Sequence, residues 1–162
     1  MKTNISKKNE YIYLSFTENY STYAKEYFKL IPLINSLPGN LCSFCDLYIV
    51  RHVFELQVKS LIQSFFNNHN INIKEVNPFI TYDIVYLFSL IDEYKVITKD
   101  MGPKGLYEKI KKSCCFLSDN HLETQKLRYP SDTKTIKIKK NDIENIVTTI
   151  IDLNSYLEGF SN

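Results

Sequence analysis

The chain has no tryptophan, and only four glycines, five prolines and two methionines in 162 residues. So little glycine and proline argues against a sheet-rich fold stitched by many tight turns, which draw on glycine for positive φ and on proline for a preset φ. Helices are favoured. No apolar stretch approaches the roughly 18 residues that a membrane span needs, and the polar start Met1 to Glu10 holds no signal-peptide h-region. A soluble, cytoplasmic protein that does not engage a membrane is expected.

Other absences exclude chemistry. Gly39, Gly102, Gly105 and Gly159 are isolated, so neither a Walker phosphate loop nor a dinucleotide fingerprint can be built from them. No His-Glu-x-x-His or paired-carboxylate metal signature occurs, and no motif places a serine, a histidine and an acid together. An ATPase, a dehydrogenase, a zinc hydrolase and a serine hydrolase are therefore disfavoured, and no cofactor is expected. The four cysteines stand as Cys42 and Cys45, a C-x-x-C pair, and as the neighbours Cys114 and Cys115. The second pair lacks the two-residue spacer and no histidine stands at finger spacing, so no metal is expected and small buried thiols near helix starts are the better reading.

What is present is enough for one core. At 162 residues and 44% hydrophobic, residues 1–162 are expected to form a single domain. The aromatic residues, all Tyr or Phe, supply bulk while many Tyr hydroxyls remain to hydrogen-bond. The net charge of +2 hides an asymmetry, because residues 101–140 carry ten Lys or Arg against four Asp or Glu, which leaves the remainder at −4. A lysine excess of this kind can meet phosphates or solvate a face.

Periodicity then assigns the elements. Tyr11 to Phe16 alternates and predicts a short strand, and Thr135 to Lys139 alternates likewise, with a Lys-covered face; the two are expected to pair. Tyr23, Tyr27, Leu30, Ile31 and Ile34 recur at helical spacing within Asn19 to Leu37, with a break expected just before Pro32. A long helix over about Ser43 to Asn67 is the central element. A third helix is expected over Thr81 to Thr98, a fourth over Leu106 to Phe116, and Ser118-Asp119 should cap a further turn. Pro130 predicts a non-helical Leu127 to Asp132. Asn141-Asp142 should cap a last helix with Ile143, Ile146, Val147, Ile150, Ile151, Leu153, Tyr156 and Leu157 on its apolar face. The expected fold is mainly α: a four- or five-helix bundle with a small two-stranded β element at about residues 11–16 and 135–139.

Ionisable residues within the central helix single it out. Arg51, Glu55 and Lys59 recur at four-residue steps and share one stripe, with His52 on its edge. Leu47, Val50, Phe54, Val58, Leu61 and Phe65 occupy the adjoining apolar surface. The stripe reads either as a solvated charge ladder or as a partly buried, paired network, and the scarcity of positions free to face water favours the second. In that network Glu55 accepts from Arg51 or Lys59, Arg128 can add a bidentate grip, and the Tyr129 hydroxyl can complete it.

Two segments resemble the HEPN superfamily of small helical bundles. Arg51-His52-x-x-Glu55-Leu56-x-x-Lys59-x-Leu61-Ile62 is similar to the family's polar-stripe helix, and Leu127-Arg128-Tyr129-Pro130-x-Asp132 to an Arg-Tyr-Pro segment of one bacterial branch. The resemblance implies a four- or five-helix bundle, commonly dimeric, often in prokaryotic defence or toxin modules, with metal-independent RNases among its members. The nuclease members carry Arg, four to six residues, then His. Here the corresponding positions are Leu56, Gln57 and Val58 after Arg51, and Thr133, Lys134 and Thr135 after Arg128, so the motif is absent.

Two readings stay open. The first is a non-catalytic, dimerising interaction subunit of a prokaryotic defence or toxin–antitoxin system, with a protein partner encoded nearby. Its homodimer is expected to use the central and last helices, and Lys134, Lys137, Lys139 and Lys140 form a partner or nucleic-acid surface. The alternative is a divergent metal-independent RNase, with catalytic candidates Arg51, His52, Glu55 and Arg128. Cleavage needs a base, an acid and a cation for the phosphorane, which His52 and the two arginines can supply on paper.

Overall fold

The computed structural model describes residues 20–36, 44–72, 83–122, 127 and 137–159. In chain order its helices are α1 (Tyr20–Phe28), α2 (Ile31–Ser36), α3 (Phe44–Asn68), α4 (Ile84–Glu93), α5 (Leu106–Asp119) and α6 (Lys140–Gly159). The α1/α2 break follows from Pro32. Proline cannot donate to the carbonyl four residues back and its ring crowds that position. That carbonyl belongs to Phe28, the last residue of α1.

α3 is the axis of the bundle. Every residue from Val53 to Ile62 is buried, and α1, α2, α4 and α6 all pack on it. α1 runs antiparallel to it, with Tyr20 near Gln63 and Tyr27 against His52. α5 and α6 form a second antiparallel pair, tied by Lys109 to Asp152 and Ser113 to Thr149. α4 joins α5 through Tyr107, whose hydroxyl donates to Asp92 at 2.9 Å and whose ring meets Phe88. One hydrophobic cluster runs through α2 to α6, including Phe54, Phe66, Ile91, Ile110 and Ile150.

α3, α4 and α5 stop in the same way, without glycine. Asn70, Lys95 and His121 take φ of 53°, 54° and 51°. The next residue then folds back: Ile71 N–H donates to Phe66, Val96 to Ile91 and Leu122 to Leu117. These are Schellman motifs, closed by an apolar pair. In α4 the motif ends the helix at Glu93, short of the expected Thr98, and turns Val96 and Ile97 into the core. The other end of α4 is capped by Asp83, whose carboxylate accepts from Val85 and Tyr86 N–H.

The structure corrects several other expectations. No strand occurs among the described residues; residues 137–139 of the expected second strand have no regular structure. The Lys139 carbonyl instead accepts the Asp142 N–H, which commits this end of the run to the start of α6. The expected partner, Tyr11 to Phe16, lies outside the described residues. Ser118 and Asp119 belong to α5, which runs on until His121 turns it. Leu127 is helical and buried, since Pro130 restricts only the residue before it; residues 128–132 lie outside the described set. On α6, Ile151 is 44% exposed while Thr149 and Asn154 are buried. Cys114 is buried but sits deep in α5, and Cys45 and Cys115 are exposed, so the buried-thiol expectation holds for Cys114 alone of these three.

Candidate functional site: a buried ion network on α3

The i, i+4 spacing puts Arg51, Glu55 and Lys59 on one line along α3, one turn apart. All three are buried, at 2%, 2% and 3% exposure. Arg51 Nη1 donates to Glu55 Oε2, and Lys59 Nζ donates to Glu55 Oε1 at 2.7 Å. Each carboxylate oxygen therefore holds a cation. Arg51 also reaches outward: its Nε donates at 2.8 Å to the carbonyl of Leu122. That carbonyl is delivered by the Schellman turn at His121, which seats the Leu122 side chain in the core. At the other end Lys59 Nζ lies 5.4 Å from the Tyr20 ring centroid, a cation–π contact, and the Tyr20 N–H donates to Gln63 Oε1 at 3.2 Å. The stripe thus ties α3 to the start of α1 and to the segment after α5.

The electrostatics decide the state of Glu55. Burial on its own would raise its carboxyl, but Arg51 and Lys59 together outweigh burial and hold it below its ordinary value. It is an anion between two cations. Cys114, in α5, shows burial winning instead: its thiol is pushed far up, and the neighbouring Cys115 adds to the shift.

His52 is next to Arg51 in sequence but leaves the stripe. It is half-buried between two tyrosines, edge-on to Tyr27 at 4.8 Å between centroids and stacked on Tyr48 at 5.6 Å. The structure therefore brings together Arg51, Glu55 and Lys59, with His52 turned into the α1 seam. Arg128, Tyr129 and Lys134 lie outside the described residues. Lys137, Lys139 and Lys140 are exposed ahead of and at the start of α6, where Lys140 meets Glu144 at 3.5 Å. The contacts that sequence reasoning missed are the Leu122 carbonyl and Tyr20. A signal for the first was present in the apolar pair Leu117 and Leu122, five apart across a polar helix end.

Chemically, this arrangement orders structure. Both oxygens of Glu55 are engaged, and a base or acid must present a lone pair or proton to substrate. Arg51 spends its guanidinium on a carbonyl and a carboxylate inside the core. Among the described residues no group of three His, Cys, Asp or Glu side chains could hold a metal ion, and no helix is long and apolar enough to cross a membrane.

Fold and site together define a helical bundle whose central helix carries a sealed Arg–Glu–Lys network. No protein-family model, curated protein or solved structure matches this chain.

Proposed function

We propose that this chain is a non-catalytic, HEPN-like bundle that serves as a dimerising interaction subunit in the cytoplasm, within a prokaryotic defence or toxin–antitoxin system. The observation that supports the non-catalytic part is the burial of Arg51 and Glu55 with their polar atoms engaged on one another and on Leu122. A cation for a scissile phosphate has to be reachable by it, and Arg51 is not. The HEPN character rests on the two sequence segments quoted above and on the helical bundle.

Of the two helices expected to form the dimer surface, the last is the better supported by burial. α3 is covered on all sides between Val53 and Ile62, so this central stretch offers no face to a second copy. The last helix does: Ile151 projects from α6 between exposed Thr148 and Ser155. Dimerisation is accordingly assigned to the outer face of α6.

Labelled single-stranded RNA and tRNA incubated with the protein in EDTA test the catalytic question. No cleavage is expected; specific cleavage that disappears in His52→Ala would establish the nuclease reading instead. Light scattering tests assembly. A particle of twice the 19.0 kDa chain mass, reduced to monomer by Ile151→Glu, is expected, and a wild-type monomer at tens of micromolar would refute the dimer.

A further inference from the structure

α5 and α6 do not close on each other completely: a cleft of about 380 Å³ opens between them. Its lining includes Phe116 and Ile146 and a chain of hydroxyls, in which Ser113 Oγ donates to Thr149 Oγ1 at 3.2 Å and Thr149 Oγ1 to the Asn145 carbonyl at 2.8 Å. Lys109 also lines it, fixed by Asp152 at 2.5 Å.

Three further lining side chains, Lys112 of α5 and Asp142 and Asn145 of α6, make no hydrogen bond or ion pair. Lys112 and Asp142 are opposite charges on facing helices around one cleft, yet they do not meet. Elsewhere in the fold such charges do meet, as in Lys99 with Glu108 and Lys109 with Asp152. An exposed cation and a half-buried anion that do not pair, set over apolar and hydroxyl groups, complement a molecule that carries both charges and an apolar tail. The mixed sign argues against simpler ligands. Asp142 repels a polyanion, and Lys112 repels a metal ion. The volume lies near the lower end of the range for small-molecule sites, roughly 300–1,000 Å³, and is too small for a folded partner.

We propose that the α5–α6 cleft binds a free α-amino acid with an apolar side chain. Lys112 takes the carboxylate, Asp142 takes the ammonium, the Asn145 amide adds a hydrogen bond, and Phe116 and Ile146 receive the side chain. This site is separate from the α3 network and does not depend on the interaction-subunit reading.

Calorimetric titration of the full chain with L-leucine and L-phenylalanine tests it, with leucinamide, which lacks the carboxylate, and 4-methylpentanoate, which lacks the ammonium, as controls. Saturable binding of at least one amino acid is expected, with both controls weaker by about tenfold or more, as the loss of a charged hydrogen bond implies. Lys112→Met should erase the preference over leucinamide alone, and Asp142→Asn the preference over 4-methylpentanoate alone, with far-UV circular dichroism showing both variants folded. Absence of saturable heat from either amino acid up to about 10 mM, binding of the controls as tight as the amino acid, or unchanged discrimination in both folded variants would each overturn the proposal.

Discussion

Two sides of α3 treat buried polar groups differently. On the side that carries Arg51, Glu55 and Lys59, three charges are each within reach of an opposite charge, and Arg51 adds a carbonyl and Lys59 an aromatic face. Roughly 200° round the helix from Glu55 lies Gln57, 0% exposed, and neither its Nε2 nor its Oε1 has a hydrogen-bond partner. The contrast follows from the costs involved. An unpaired charge in the core costs so much that a fold cannot keep it, whereas an unpaired amide costs about 1–3 kcal/mol and can be carried by the packing of its neighbours.

The largest break in this comparison should come from Glu55. Glu55→Ala removes the buried carboxylate to which both Arg51 and Lys59 donate, and a loss of about 3–5 kcal/mol is expected in urea denaturation. Replacing the whole stripe, Arg51→Met with Glu55→Leu and Lys59→Met, removes the charges together and should recover most of that loss. If the triple variant is as unstable as Glu55→Ala, the stripe contributes packing that these side chains cannot replace.

Acid should dissolve the contrast reversibly. Because the folded-state Glu55 carboxyl lies below its ordinary value of 4.5, its ionisation stabilises the fold in full above that pH. The contribution is lost as pH falls through the lowered folded value. The stability difference between wild type and the triple variant, followed from pH 7 downward, should therefore stay flat to about pH 4.5 and then move against the wild type. A difference that is flat throughout the acid range would mean that Glu55 does not ionise differently on folding.

Gln57 should respond in the opposite sense. Gln57→Met keeps a side chain of similar length, removes both unpartnered atoms and is expected to stabilise by about 1–3 kcal/mol. A loss of stability of that size would show that the amide is satisfied in solution.

The smallest effect concerns the turn that feeds the network. His121 pays the left-handed cost of roughly 1–2 kcal/mol that glycine avoids, while glycine loosens the unfolded chain by about 0.5–1 kcal/mol. His121→Gly should thus stabilise by up to about 1 kcal/mol, measurable as a higher midpoint with an unchanged denaturant slope. Asn70→Gly at the end of α3 should gain less, since asparagine tolerates this conformation better than histidine.

Much of the helical layout was legible because burial leaves a period in the residues. Ile146, Val147, Ile150 and Leu153 are buried as their spacing predicts, and the α1/α2 break was written in Pro32. Helix ends were less legible. Glycine is the usual signal for a left-handed stop, and here Asn70, Lys95 and His121 take that role. α4 was accordingly read too long, and α5 too short, with its last residues taken for a separate cap. Ile151 was misread because a helix face wider than its contact leaves its edge in solvent.

The sequence by itself determined that helices dominate, and that Arg51, Glu55 and Lys59 share one line on a helix with few wet positions, since both follow from composition and the α-helical repeat. Only the tertiary structure decided that this line is sealed rather than solvated, that Arg51 also donates to a backbone carbonyl 71 residues away, and that His52 turns to the tyrosines instead. Those outcomes depend on which elements pack around α3 and where the chain turns after α5. The apolar pair Leu117 and Leu122 signals the turn, but no local pattern says which side chain its carbonyl will meet, because a carbonyl looks alike at every residue until the fold places it.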